Sequence, residues 1–365
     1  MLILAAAFAG PAEDLLADVV ANDPVSDVLS ARIDADAALR PRPRDALFRP
    51  VFRDLGSATR EPSISLRLRQ PLEPPGSLRA ARRELDAERA DDHTRARLRA
   101  AERRATALET YDAGRVASAE RGLLDEELAL VERRIDVLRL RLDGGLPVAE
   151  DLVDATVDRL ELVQRRALAD LRVAEAAAWL EEAAGRPVAL DAEGLAAEVM
   201  APLEAPGSRV PSTGLAAAEA ALAARRAERR PFVDWVQAEL EPRPGERASY
   251  GLAANVEIPI WRFLDGEVAA ARERVAVERR AMTVQEDRRS REQEAAVAAW
   301  IRHRDALLAL QAAQDEAAAA LDQLRAQVSP DALLDAQAAL LEERRRWWSV
   351  AERALQARRL AEWTP

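Results

Sequence analysis

Apolar residues that recur at alternating steps of four and three constrain this chain more than any other feature. In one run Leu124, Leu128, Val131, Ile135, Leu138 and Leu142 keep that spacing. In the next, Val153, Val157, Leu160, Ala167, Leu171 and Ala174 hold the same register, with Gln164 as the single polar member. A 4-3 apolar stripe bordered by Arg and Glu is the pattern of a coiled-coil seam. No proline interrupts residues 76–143, so at about 1.5 Å per residue a helix there reaches roughly 100 Å. Gly144, Gly145, Leu146 and Pro147 then reverse the chain, glycine stopping one helix and proline opening the next. The expectation is a long antiparallel helical hairpin over 76–184.

The pattern occurs twice. A second hairpin is expected over 266–363, its first arm carrying Val268, Val275, Val297, Ile301, Leu308, Leu321, Leu324 and Val328 on an alanine-rich background. It turns at Ser329-Pro330-Asp331, where serine suits an N-cap and proline the first helical position. The return arm places Leu333, Ala336, Leu340, Trp347, Val350 and Ala354 in register, with Glu343 as the exception. The segments after the turns read alike, DLVDA at 151–155 and ALLDA at 332–336, as in a tandem duplication. The reading is therefore a first repeat over 11–185, a connector over 186–213 rich in proline and glycine, and a second repeat over 214–365.

Each hairpin is preceded by a helix and two short segments of strand-like pattern. In the first repeat the helix is read over 11–40. The strand pair spans 46–72 (Ala46–Leu55 and Ser63–Leu72), with Ile64, Leu66 and Leu68 alternating with Ser65, Arg67 and Arg69 around a turn at Gly56-Ser57. In the second repeat the helix is 214–230 and the pair spans 231–260 (Phe232–Leu240 and Leu252–Ile260), with a Pro242–Gly245 turn. Period-two alternation is the signature of half-buried strands. The fold class expected is mainly α with short β-hairpins.

Composition removes several function classes. Of 365 residues 32% are charged and 4% aromatic, the balance of long helices rather than of a thick enzyme core. The net charge of −11, with arginine as the sole basic residue besides two histidines, argues against nucleic acid as a general partner. There is no cysteine, hence no disulfide framework or thiolate metal site. His93 and His303 stand on different arms without ligand spacing, and no phosphate loop, nucleophile elbow or acid–base pair is present. No enzyme activity, cofactor or metal is expected. Residues 1–10, MLILAAAFAG, resemble the apolar core of a truncated signal peptide ending in Ala7-Phe8-Ala9, without a basic n-region. No run attains the roughly 18 apolar residues of a spanning helix, so membrane crossing, if any, falls to the strands.

Strands of about ten residues match a bilayer. Four cannot close a barrel by themselves, and open edges are not tolerated in lipid. They must therefore pair with other copies of the chain or lie outside a membrane.

Taken in order, these segments resemble the outer-membrane factor family, the TolC-like exit ducts of efflux pumps and type I secretion systems. The resemblance rests on LRLRQPLEPPG at 66–76 and NVEIPIWRFLDG at 255–266, each a strand ending in proline before a glycine-opened helix. It rests also on RRPFVDWVQAEL at 229–240, on the tip GGLPVAEDLVDA at 144–155, and on the returning helix at 333–363. It implies a homotrimer with a 12-stranded β-barrel in the outer membrane and an α-helical barrel through the periplasm. It also implies partners: outer-membrane lipid, a periplasmic adaptor (membrane-fusion) protein and an inner-membrane transporter. Gly144, Gly145, Leu146, Ser329 and Pro330 then fall at adaptor-docking tips. Asp331, Asp335, Asp151 and Asp154 are candidates for the periplasmic constriction, although carboxylates also favour a helix N-terminus for its dipole. Arg67, Arg69, Asn255 and Glu257 are candidates for the barrel lumen.

Three departures are visible. Ala332 stands where a second aspartate is expected, Ala326 replaces the glycine of the second tip, and the tyrosine and arginine of the family's latch are not matched near residues 323–328. The alternative is a soluble coiled-coil scaffold, or a degenerate relative that no longer inserts, which the scarcity of aromatic residues in the strands keeps open.

Overall fold

The computed structural model describes residues 10–37, 47–53, 63–72, 76–203, 213–227, 232–241, 249–257, 266–324 and 327–362. The signal-like segment up to residue 9, the basic proline-rich patch at 41–45, the strand turns at 56–57 and 242–245, Ile258 to Ile260, Ala326 and Trp363 lie outside them. Among the described residues the order is α1 (Gly10–Ala21), α2 (Pro24–Ala37), β1 (Leu47–Arg53), β2 (Ser63–Pro71), α3 (Ser77–Asp143), α4 (Ala149–Ala184), α5 (Leu195–Met200), α6 (Gly214–Ala227), β3 (Phe232–Glu241), β4 (Ser249–Glu257), α7 (Glu267–Leu324) and α8 (Pro330–Glu362). The chain is mainly helical with one small antiparallel sheet, and both long hairpins are present.

Several boundaries differ from the sequence reading, each for a physical reason. The helix read over 11–40 is two helices, because Pro24 has no N–H to continue α1 and instead begins α2. Pro147 does not start α4; Val148 is its N-cap. The fourth strand starts at Ser249 rather than Leu252. Gly251 breaks the apolar alternation, yet ten-residue β3 offers ladder partners as far as Glu241, which pairs with Ser249. The connector is not irregular throughout: its residues 195–200 form α5.

Compact packing divides the chain differently from the repeats. A larger unit comprises residues 1–27, 98–209 and 287–365; a smaller one comprises 28–97 and 210–286. In the larger unit α1 packs on α3 and α4 through Leu15, Leu16, Val19, Leu108, Leu180 and Ala183. Asn22 Nδ2 donates to Ala184 O at 2.7 Å, satisfying one of the carbonyls that the end of α4 leaves open. A second core joins α3, α5, α7 and α8 through Val116, Leu195, Val199, Leu307, Trp347 and Leu355. Trp347 and Trp348 meet edge to face at 4.8 Å. In the smaller unit Ala80 of α3 packs on Ala224 and Ala227 of α6. Thr213 Oγ1 donates to Asp91 at 2.8 Å.

The coiled-coil seams hold the main correction. On α3 Leu124, Ile135 and Leu138 are buried as expected, whereas Leu142 is exposed. On α4 the expected stripe, Val153, Val157, Leu160 and Leu171, faces solvent; Val153 is 61% exposed and Leu171 52%. The buried seam is Ala155, Leu162, Ala169 and Ala176, spaced by sevens, followed by Leu180. At 100° per residue this seam lies opposite the exposed stripe, so α4 is apolar on two faces. Alanine forms the inner seam because helix axes that approach closely need small side chains between them. Gly114 of α3 shows how close: a Cβ there would lie 2.9 Å from Ala176 Cβ and 2.8 Å from Leu190 Cδ1. On α7 too the expected positions Ile301 and Leu308 are exposed, while Ala296, Trp300 and Leu307 are buried.

Candidate functional site

Both hairpin tips belong to the larger unit. At the first, Gly145 adopts φ +81°, the left-handed conformation that ends a helix and favours glycine. Leu146 N donates to Arg141 O (3.0 Å) and Gly145 N to Leu142 O (2.9 Å), a Schellman pair that satisfies the last carbonyls of α3. The turn is anchored from behind, since Val148 and Leu152 pack on Ile135, Leu138 and Ala155. Leu140, Leu142, Leu146 and Val153 are exposed around the tip. Gly144, Gly145 and Pro147 are exposed as well, as are Asp151 and Asp154 in the first turns of α4.

At the second tip Ser329 caps α8: Ala332 N donates to Ser329 Oγ at 3.3 Å and Leu333 N to Ser329 O at 3.0 Å. Pro330 is the first helical residue, and Asp331 is the second. Asp335 sits one turn further and pairs with Arg134 of α3 at 3.3 Å. The structure therefore joins one constriction candidate to the neighbouring hairpin; Asp151 and Asp154 have no ion pair among the described residues.

The sheet belongs to the smaller unit. Its order is β1-β2-β3-β4, all antiparallel. The register places Arg67 opposite Glu239 and Arg69 opposite Gln237; across the next ladder Asn255 is opposite Trp235. These residues share one face. Arg67 and Glu239 form an ion pair at 3.1 Å, and the Arg69 guanidinium lies 4.4 Å over the Trp235 ring. Glu257 stands two residues after Asn255, at the same strand parity. The opposite face carries Leu66, Leu68, Val236, Leu240, Leu252 and Val256. It is open to solvent in a single chain, Leu252 being 81% exposed. A β-bulge between Val233 and Trp235 shifts the register near one end of β3.

Sequence reading missed a buried arginine clasp on the connector. Arg115 of α3 donates to Asp191 O (2.9 Å), Glu193 O (2.9 Å) and Glu198 Oε2 (2.7 Å). Arg359 of α8 joins Asp112 Oδ2 (2.8 Å) to Glu198 Oε1 (2.6 Å). Arg358 donates to the carbonyls of Glu198, Ala201 and Pro202. Burial pushes the Asp112 carboxyl up, more than Arg359 lowers it. For Glu198 burial also acts upward, but Arg359 and Arg115 outweigh it and hold the carboxyl below its usual range. The available signal was ALETYDAGRVAS at 107–118, where Glu109, Asp112 and Arg115 stand three apart on one helical run, together with the Leu195/Val199 pair in a short segment flanked by glycine and proline.

Among the described residues there is no cluster of three or more potential metal ligands. His93 is exposed and His303 half-buried, each on its own helix. No described helix is long and apolar enough to cross a membrane.

Two long α-hairpins, each preceded by two strands of one four-stranded sheet, make up the fold of the outer-membrane factor channels, and solved structures with this fold superpose over nearly the whole chain. A membrane protein from Pseudomonas aeruginosa matches with a TM-score of 0.74 at 17% identity, covering 98% of this chain and 92% of that one. The Neisseria gonorrhoeae MtrE outer membrane channel, in its open state, matches at 0.69 and 14% over 97% and 88%. CusC, described as forming a transmembrane channel, matches at 0.68 and 14% over 96% and 91%. At these identities the likeness is one of fold. No family model and no curated protein matches the sequence.

Proposed function

We propose that this chain is the outer-membrane channel of a tripartite efflux or type I secretion system, a passive homotrimeric duct whose helical tips dock a periplasmic adaptor. One observation carries the reading: the four-stranded sheet is polar on one face and apolar on the other, while β1 and β4 each have a single ladder neighbour among the described residues. Such a sheet has open edges that lipid does not tolerate. Three copies joined edge to edge give twelve strands, with Arg67, Arg69, Asn255 and Glu257 lining the lumen and Leu68, Leu252 and Val256 facing lipid. The ion pair and the arginine–tryptophan contact then lie on the water side, where their charges cost least.

The outer apolar stripe of α4 supports the same assembly. Val153, Val157, Leu160 and Leu171 have no partner helix within the described chain, and a stave of a closed helical barrel needs a neighbour on each side. At the tip, the exposed Leu140, Leu146 and Val153 form the surface offered to an adaptor. Arg134 and Asp335 tie the two hairpins together near the constriction, where their separation accompanies opening. Nothing in the chain binds nucleotide by sequence motif, so the energy source is the inner-membrane transporter.

The deciding experiment is the native mass of the protein extracted from outer membranes in mild detergent. A trimer in that fraction is expected. A monomer or dimer confined to the soluble fraction overturns the duct and leaves a coiled-coil scaffold. Adaptor docking is tested by Gly145→Asp: a Cβ at Gly145 meets nothing within 4 Å, and aspartate tolerates the left-handed conformation better than most residues. The variant should assemble as a trimer but lose adaptor cross-linking; unchanged cross-linking would remove the first tip from the docking site.

A further inference from the structure

We propose that the groove between α3 and α8 is a binding site for a small amphipathic cation. The groove encloses about 260 Å³, just below the range of about 300–1,000 Å³ common for small-molecule sites. Leu108 and Leu355, both buried, form its floor. Ala105 and Ala113 line it from α3, one turn to either side of Glu109. Their small side chains are what leave the space open. An apolar tail of a few carbons fits such a surface.

The polar groups of the groove favour one sign of charge. Its lining contains three carboxylates, Glu109, Asp112 and Glu352, and one cation, Arg359. That cation is already committed, since Arg359 bridges Asp112 and Glu198. Glu352 shares Arg172 with Glu120. Glu109, exposed three residues before Asp112, has no ion pair among the described residues. Asp112 is buried and hydrogen-bonded to Arg359, but a carboxylate has about four lone-pair sites, so it retains capacity for another donor. Its raised pKa agrees with this: burial outweighs Arg359, leaving the carboxylate short of positive charge. A primary ammonium or amidinium placed between Glu109 and Asp112 supplies that charge as a charge-assisted hydrogen bond, while its tail covers Leu108 and Leu355. An anion of the same shape meets three carboxylates and no free cation.

The site needs only α3 and α8 and does not rest on the duct reading; a soluble chain that binds the cation would keep this inference and remove that one. The test uses the purified full-length protein and three probes with one tail: 4-phenylbutylammonium, 4-phenylbutanol and 4-phenylbutanoate. Saturable binding followed by calorimetry is expected to favour the ammonium over the alcohol by about tenfold, a difference of about 1.4 kcal/mol, with the anion weakest. Ala105→Trp, which fills the groove, should weaken ammonium binding by about tenfold. Glu109→Arg, at an exposed position that leaves the fold intact, should weaken the ammonium about fivefold or more and leave the alcohol within about twofold. Equal binding of ammonium and alcohol, undiminished uptake by Ala105→Trp, an unchanged ammonium affinity in Glu109→Arg, or no saturable binding at millimolar probe each overturns the proposal.

Discussion

The two faces of α4 differ in a way that apolarity alone does not reveal. The outer face carries the larger side chains, Val153, Val157, Leu160 and Leu171, and stays open in the single chain. The inner face is built largely of alanine at seven-residue spacing and is buried against α3 and its neighbours. Small residues permit a close approach within the hairpin, where dispersion contacts accumulate along the whole seam. Large residues on the outside have room only against a more distant surface, such as a helix of another copy. On α4 the size of the apolar residues thus separates the face buried within the chain from the face left open.

The largest effect is expected on the inner side. Leu180→Ala removes a side chain with no solvent exposure and should cost about 3 kcal/mol, because the cavity under α1 collapses only partly. Urea unfolding followed by circular dichroism measures it; a loss no greater than that of a surface substitution would mean that the inner seam is not a core. Gly114→Ala is next. Its new Cβ meets Leu190 and Ala176 below 3.0 Å, so overpacking of about 1–3 kcal/mol is expected in the same assay. A gain in stability would show that the hairpin has slack at this level.

A pH series separates this packing from the arginine clasp. Glu198 has a folded pKa below its unfolded value near 4.5, so its stabilising contribution is present above that pH and is lost as pH falls through the folded value. Asp112, with a raised value, acts in the opposite sense: its burial costs stability when charged, and the cost is relieved as pH falls through its folded pKa. Hydrogen exchange at residues 191–202 should therefore stay protected from neutral pH down to about 4.5 and rise below it. Protection on the inner face of α4 around Ala169, which packs on the apolar Leu124 and Leu162, should persist to lower pH.

The smallest effect on the single chain is expected outside. Leu160→Ser with Leu171→Ser should shift unfolding of the isolated chain by about 0.5 kcal/mol or less, since neither side chain packs within it. The same pair should abolish the trimer in native mass measurements. A trimer that survives the double substitution would assign the outer face to something other than assembly.

Much of the fold was legible in the sequence because it depends on local chemistry. Four-three spacing, absence of proline and the Gly144-Gly145 stop located the hairpins, and Ser329-Pro330 located the second turn. Alternation in Ile64–Arg69 located a strand and separated its faces, so Arg67, Arg69 and Asn255 do share a side of the sheet. Local rules were weaker at glycine and proline: Gly251 hid the first residues of β4, and Pro24 divided a helix that its apolar spacing ran through. The candidate site was legible as position only. Asp335 could be placed at the start of α8, whereas its pairing with Arg134 joins residues 201 positions apart (335 − 134).

By itself, then, the sequence determined the long helices, the four strands and the two hairpin turns, because those outcomes follow from the hydrogen-bonding and steric limits of neighbouring residues. Which apolar face of α4 is spent inside the chain was decided by tertiary structure, since that depends on how near α3 can come, and Gly114 and Ala176 set that distance from opposite helices. The clasp was decided there as well. Arg115, Glu198 and Arg359 become one network only after α5 has docked through Leu195 and Val199, and burial then gives their charges a strength that no local window of the sequence contains.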